Sequence, residues 1–186
     1  MIAVRKTGII LAVSGLAATA ALAQAGQQQP VSALKGHNTN APVDVTAQRL
    51  EVQDRADRAI FAGNVHAVQA DLTLDTQRLT VAYSGGTGAG NNVRIRRLDA
   101  AGGVVVKSPS ETAKGDFGIY DLDRKLITLI GNVQLDREQN QVNGSRLVID
   151  LDSGRAVVDG GPPGVNASGG RVSGHFTVPQ RQQQKP

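Results

Sequence analysis

Three histidines, His37, His66 and His175, are the side chains of this 186-residue chain best suited to moving protons or holding a metal. No two of them have zinc-motif spacing, and there is no cysteine to complete such a set. The acid pairs Asp121-x-Asp123 and Asp150-x-Asp152 could in principle work as paired carboxylates. Both fall beside turn-forming residues, where Asp is common because its side chain bonds the local backbone. No Gly-x-Ser-x-Gly elbow occurs. The stretch Ser84-Gly-Gly-Thr-Gly-Ala-Gly-Asn91 lacks the Gly-Lys-Ser/Thr ending and the following helix that a phosphate loop needs, and reads as an excursion between strands. We nominate no catalytic residue and no metal site, and expect no cofactor.

What the chain has instead is repetition. Gly63-Asn64-Val65 recurs as Gly131-Asn132-Val133, and an Arg-Leu pair begins thirteen residues after each valine, at Arg78 and Arg146. Weaker echoes lie at Gly102-Gly103-Val104 and Ala156–Gly160, so the four glycines are spaced 39, 29 and 29 residues apart. Self-similarity on this scale signals stacked supersecondary units that bury their apolar faces against neighbours. The Gly-Asn pairs themselves favour a tight turn or bulge, since both residues tolerate positive φ. Asp54–Arg58 and Asp121–Lys125 occupy nearly matching positions and read as solvated connecting turns.

The first 23 residues read as a cleaved leader. Arg5 and Lys6 precede an uncharged Gly8–Leu22 run, and Ala21-Leu22-Ala23 fits a small-x-small cleavage site, so an exported chain is expected. The run is short for a membrane span. With Arg5 and Lys6 gone, 18 basic residues face 16 acidic ones, a net charge of +2. Neither a basic run nor interleaved aromatics point to nucleic acid. An exported chain without cysteine has no disulfide framework and depends on strand pairing and burial. Residues 24–41 and 180–186 read as a flexible arm and a disordered tail, leaving 42–179 as one domain.

Within that domain, apolar residues alternate with polar ones in short runs: Val43-x-Val45, Leu50-x-Val52, Leu72-x-Leu74, Leu79-x-Val81-x-Tyr83, Val93-x-Ile95, Ile127-x-Leu129, Val133-x-Leu135 and Leu147-x-Ile149-x-Leu151. Turn residues stand between many of them, including Gly63-Asn64, Gly102-Gly103 and Asn143-Gly144. Eight or more short strands with one apolar face predict an all-β sandwich, roll or solenoid. Phe61 and Val65 flank the first Gly-Asn, and with the residues of these runs they are candidates for a shared apolar interior. Only three Phe, two Tyr and no Trp are present to fill it.

Pro42-Val-Asp-Val-Thr-Ala-Gln-Arg-Leu-Glu-Val52, Ala59–Val65, Arg78–Tyr83 and the second run Ile119–Val133 through Gly144–Leu151 resemble the OstA-like family of lipopolysaccharide-transport domains over about Val43 to Pro179. The glycine-rich stretch Ser84–Gly90 and the unit Val93–Val106 depart from its pattern. The resemblance implies an open, V-shaped antiparallel β-jelly roll built from repeated strand units. It also implies a periplasmic protein that binds lipopolysaccharide and bridges an inner-membrane transporter to an outer-membrane translocon. It places Tyr120 and Leu122, rather than Phe117 and Ile119, on the inward face. The lipid groove is then expected from Val43, Val45, Leu50, Val52, Phe61 and Val65, from Leu79, Val81, Tyr83, Tyr120 and Leu122, and from Ile127, Leu129, Val133, Leu135, Leu147, Ile149 and Leu151. Burying a chain of roughly 12 methylenes at about 0.8 kcal/mol each gives on the order of 10 kcal/mol gross.

The partners implied are the acyl chains of lipid A and homologous OstA-like domains on the transporter and translocon. Head-to-tail self-association is expected through the edges Val43–Val52 and Val172–Val178. The membrane-anchored relative fits less well because of the leader's cleavage site, and the translocon's N-terminal domain because no barrel follows. From a different class, an exported structural β-solenoid could self-assemble without a lipid.

Overall fold

Six strands of eleven to fourteen residues dominate the chain: β3 (Arg58–Gln69), β4 (Leu72–Ser84), β5 (Arg94–Lys107), β6 (Glu111–Asp121), β7 (Leu126–Arg137) and β8 (Asn140–Asp150). Four short ones flank them: β1 (Asp44–Thr46), β2 (Arg49–Gln53), β9 (Arg155–Asp159) and β10 (Ser173–His175). This computed structural model describes residues 34, 36–85, 93–161 and 170–177. The leader, residues 24–33, most of the Ser84–Asn91 stretch and the tail 180–186 lie outside the described residues.

The strands pair antiparallel in chain order from β3 to β8. At one end β1 and β2 both pair with β3, and at the other β9 and β10 both pair with β8. Among the described residues no ladder joins the two ends, so the roll is open. The long strands are the principal departure from the sequence reading. Leu72-x-Leu74 and Leu79-x-Val81 are both β4, and Ile127-x-Leu129 and Val133-x-Leu135 are both β7. Conversely, Val43–Val52 is not one strand: β1 and β2 lie on different halves of β3.

The reason is what the Gly-Asn pairs do. Gly63-Asn64, Gly102-Gly103 and Gly131-Asn132 sit mid-strand in β3, β5 and β7, with both residues of each pair at positive φ: 81° and 45°, 91° and 77°, 80° and 43°. Each coincides with a break in the ladder register, so it is a bulge rather than a hairpin turn. Asn143-Gly144 is likewise mid-strand, in β8. A bulge bends a strand without ending it. The bends align across the sheet and fold it into two facing arms. One arm carries β2 and β9, the other β1 and β10; we call them the first and second arms. A side chain from the adjoining segment rests on each bulge glycine: Gln48 on Gly63, Gln77 on Gly102, Asp116 on Gly131. Asn132 also donates to Asp116 Oδ2 at 2.8 Å.

Turns at the strand ends close the units. Asp54–Ala56 forms a 3-10 turn with Asp57 at φ 46°, and Lys125, in the equivalent β6–β7 turn, has φ 54°. These are the two connecting turns expected from the charged runs.

Candidate functional site

The facing surfaces of the two arms form one apolar interior. In the first arm the register aligns two continuous rows. One runs Leu50, Phe61, Leu79, Ala100, Gly118, Leu129, Leu147, Val158; the other Val52, Ala59, Val81, Leu98, Tyr120, Ile127, Ile149, Ala156. In the second arm a row runs Val45, Ala67, Leu74, Val106, Ala113, Leu135, Val142. Val65, Val104 and Val133, each directly after a bulge pair, are almost wholly buried where the arms meet.

Of the residues expected in the groove, Val65, Leu79, Val81, Tyr120, Ile127, Leu129, Val133, Leu147, Ile149 and Leu151 are buried in this cluster. Val43, Val45, Phe61, Leu122 and Leu135 pack against it, half-buried. Leu50 and Val52 hold positions in the inward rows but are each 54% exposed, because among the described residues β2 is an edge strand paired with β3 alone. Tyr83 stands outside the cluster: its backbone N–H donates to Asp57 O at 3.0 Å, and it sits over the β2–β3 turn. Phe117 is 55% exposed, on the opposite face from Tyr120.

The expected groove left out Leu72 and Leu74, though their period-two run had been marked, and sequence reasoning missed Leu98, Ala100, Val104, Val106 and Ala113, all in or against the cluster. A signal for most of them existed. The residues four and two before each bulge glycine, and two and four after it, point inward: Ala59, Phe61, Val65, Ala67 around Gly63, and Ile127, Leu129, Val133, Leu135 around Gly131. Applied to Gly102, the same offsets give Leu98, Ala100, Val104 and Val106.

A recess of about 410 Å³, partly polar, opens beside Thr39–Val43, Ile95 and Leu122. Between the arms an apolar cavity of about 40 Å³ lies among Val43, Leu72, Leu98, Val106, Tyr120 and Ile127. That is room for a few waters and not for an acyl chain. One polar group stands in its wall: Gln69, 4% exposed, accepts from the Tyr120 hydroxyl at 3.0 Å. Burial pushes the Tyr120 hydroxyl up to about 12. Charges stay at the rim. Arg94 and Arg96 both bond Asp123, at 2.8 and 2.9 Å, and Arg96 foremost holds that carboxyl below its usual range. His66 meets its cross-strand neighbour Asp75 at 2.6 Å on the surface. Among the described residues no His, Asp and Glu cluster could hold a metal, and no helix is long and apolar enough to cross a membrane.

An open antiparallel roll, bent along a line of glycine bulges around an aliphatic interior, defines the class of fold, and comparison with known proteins gives the family. Residues 44–155 match the LptA/(LptD N-terminal domain) LPS transport protein family, and the chain belongs to it. An uncharacterized protein of Rhizobium meliloti (strain 1021) is 34% identical over 167 residues, covering 87% of this chain and 86% of that protein. Among solved structures, the roll is similar to LptH of Pseudomonas aeruginosa, described as the LptA-homologous periplasmic component of its lipopolysaccharide transport device. The TM-score is 0.65 at 16% identity, covering 76% of this chain and 99% of that one, a likeness of fold.

Proposed function

We propose that this chain binds lipopolysaccharide in the periplasm by laying its acyl chains along the two inward rows, and passes it between homologous domains of the inner-membrane transporter and the outer-membrane translocon. The observation that carries this reading is that the rows do not stop where the core is covered. They continue onto β2, where Leu50 and Val52 present aliphatic side chains more than half exposed on an unpaired edge. Large apolar groups left uncovered in line with a core are a docking surface for something apolar. A second roll joined at that edge would extend the track from one subunit into the next.

Edge-to-edge joining is supported by the topology. β1 and β2 offer one free edge and β9 and β10 the other, and joining unlike edges is a heterologous contact that can grow into a filament. The family's place in lipopolysaccharide transport supports lipopolysaccharide as the cargo. No reaction is needed, because burial of methylenes suffices for affinity.

Photo-crosslinking tests the reading. A photoreactive residue at inward Leu50, Val52 or Phe61 should capture added lipopolysaccharide, whereas one at outward Arg49, Glu51 or Arg78 should capture little. Equal capture from both faces, with the fold intact, rejects the track. Filaments that form without any lipid and exclude it favour the structural β-solenoid.

A further inference from the structure

The residues ahead of β1 lie across the roll. Leu34 is 3% exposed within the interior cluster, and the Gly36 N–H donates to Leu151 O at 3.3 Å, at the β8–β9 turn. From there the chain crosses to the β3–β4 turn. The His37 ring, its side chain fully enclosed, contacts Asp71 Oδ1 through Nδ1 at 2.9 Å and Gln69 Oε1 through Nε2 at 3.1 Å. Gln69 Nε2 donates to Thr39 O at 3.1 Å and to Ala41 O at 2.9 Å. The β8–β9 turn is the free end of the first arm and the β3–β4 turn the free end of the second. Leu34 and residues 36–42 therefore span the mouth of the V, opposite the line of bulges. The Tyr120–Gln69 hydrogen bond is a second tie between the arms at the same place.

Gln69 and Asp71 tie His37 to the β3–β4 turn. Because Gln69 Nε2 faces two carbonyls, its Oε1 is the atom that faces the imidazole. The Asp71 carboxyl is held below the usual range chiefly by its hydrogen bond with His37.

We propose that Leu34 and residues 36–42 strap the mouth of the roll, that His37 is the latch, and that the strap must lift before an acyl chain can lie between the arms. The gate rests on the lipid reading above; the latch does not. The apolar cavity among Val43, Leu98 and Tyr120, about 40 Å³, is too small for a chain, whereas a recess of about 410 Å³ lies beside residues 39–43 with Ile95 and Leu122 in its wall; a chain reaching from that recess between the arms must displace the strap. The tie from Asp71, with its carboxyl depressed, holds above the ordinary carboxylate range and is lost as pH falls through its lowered value. The charged or titratable groups facing the strap are Asp71 from the β3–β4 turn, Tyr120 from β6 through Gln69, and Arg94, Asp123 and Lys125 beside residues 39–42.

The chain has no cysteine, so Leu34→Cys supplies a single thiol that reports lifting. Its alkylation rate, divided by the rate for the same protein in denaturant, should be low and should rise about tenfold when His37→Phe is added, the change expected for loss of one buried hydrogen bond. A ratio already high in the single-cysteine protein, or one that stays low with His37→Phe, overturns the latch. For the gate, a fluorescent dodecanoyl probe should bind the His37→Phe protein about tenfold more tightly than the parent, since affinity scales with the open fraction. Equal affinity overturns the gate and leaves the lipid reading intact. Binding by neither protein overturns the lipid reading and the gate with it, and the latch is then decided by the alkylation ratios alone.

Discussion

Leu129 and Leu50 occupy the same inward row, five strands apart, and meet opposite fates. Leu129 is 0% exposed between β6 and β8 with the second arm over it, whereas Leu50, on edge strand β2, is 54% exposed. Both are leucines in period-two segments, and nothing local separates them. The difference is the number of neighbours that the topology supplies. The same alternation makes a core where strands lie on both sides and an exposed aliphatic lip where one side is missing. Under the proposed function, stability and binding are drawn from one pattern, divided by position in the sheet.

The sharpest break of that comparison is to truncate both leucines. Leu129→Ala should cost about 2–5 kcal/mol, the transfer term plus a cavity that the flanking strands cannot close. Leu50→Ala should cost within about 0.5 kcal/mol, as at an ordinary exposed position. Urea denaturation of the two variants checks this; comparable losses would mean that β2 belongs to the core.

Next in size is the bulge line, which separates the two arms. Gly131→Ala places a Cβ at φ 80° against the Asp116 side chain, the acceptor for Asn132. Left-handed strain of about 1–2 kcal/mol and a disturbed hydrogen bond of about 1 kcal/mol together predict roughly 2–3 kcal/mol. Gly103→Ala, at φ 77° with nothing near its Cβ, should cost only the strain, about 1–2 kcal/mol. Thermal or urea unfolding of the pair measures the difference, and equal costs would show that packing on the glycine contributes nothing.

Much of this was legible because Gly-Asn-Val names the bend and the period-two runs name the inward face. Two things were not. First, glycine marks the bulges of β3, β5 and β7, where inward parity survives: Phe61 and Val65, Ala100 and Val104, Leu129 and Val133 are each four apart. In β4 and β6 the opposing irregularity falls near Gln77 and Asp116, and inward parity switches there, from Leu74 to Leu79 and from Ala113 to Gly118. Neither residue is a recognised bulge signal. Second, a bulge and a turn call for the same residues, so each long strand reads as two short ones. The strap escaped for a different reason: Leu34 and His37 lie in a polar segment without periodicity, and only the tertiary contacts reveal what they meet.

A smaller effect probes the tie between the arms. Tyr120→Phe removes the donor to Gln69 while keeping the ring, and should cost about 1 kcal/mol. The alkaline limb carries the clearer signature. The buried hydroxyl ionises at about 12, above the roughly 10 of an unfolded tyrosine. Its contribution is thus fully present below about pH 10 and is lost as pH rises toward 12. Urea midpoints measured through that interval should fall more steeply for the parent than for Tyr120→Phe; parallel curves would show that the hydroxyl is not shielded.

The last comparison is between the two free edges, and here the expected change in the fold is smallest. β10 is three residues long with all three exposed, and it covers only Gln141–Asn143 of β8, while β9 covers Arg146–Asp150. Deleting Val172–Pro186 therefore removes little buried surface, and its urea midpoint should stay close to the parent's. The interior rows should be unaffected, since β10 contributes Gly174 opposite Val142 and no large apolar side chain. What the deletion alters is the outer edge of the second arm, which becomes the bare backbone of β8 in place of the β10 strand. If chains join through that edge, concentration-dependent species in sedimentation velocity should disappear while lipopolysaccharide capture from Leu50 persists. Oligomers that survive the deletion unchanged would reject the β10 edge as the joint and leave the β9 edge of the first arm, in line with the apolar rows, as the place where one roll meets the next.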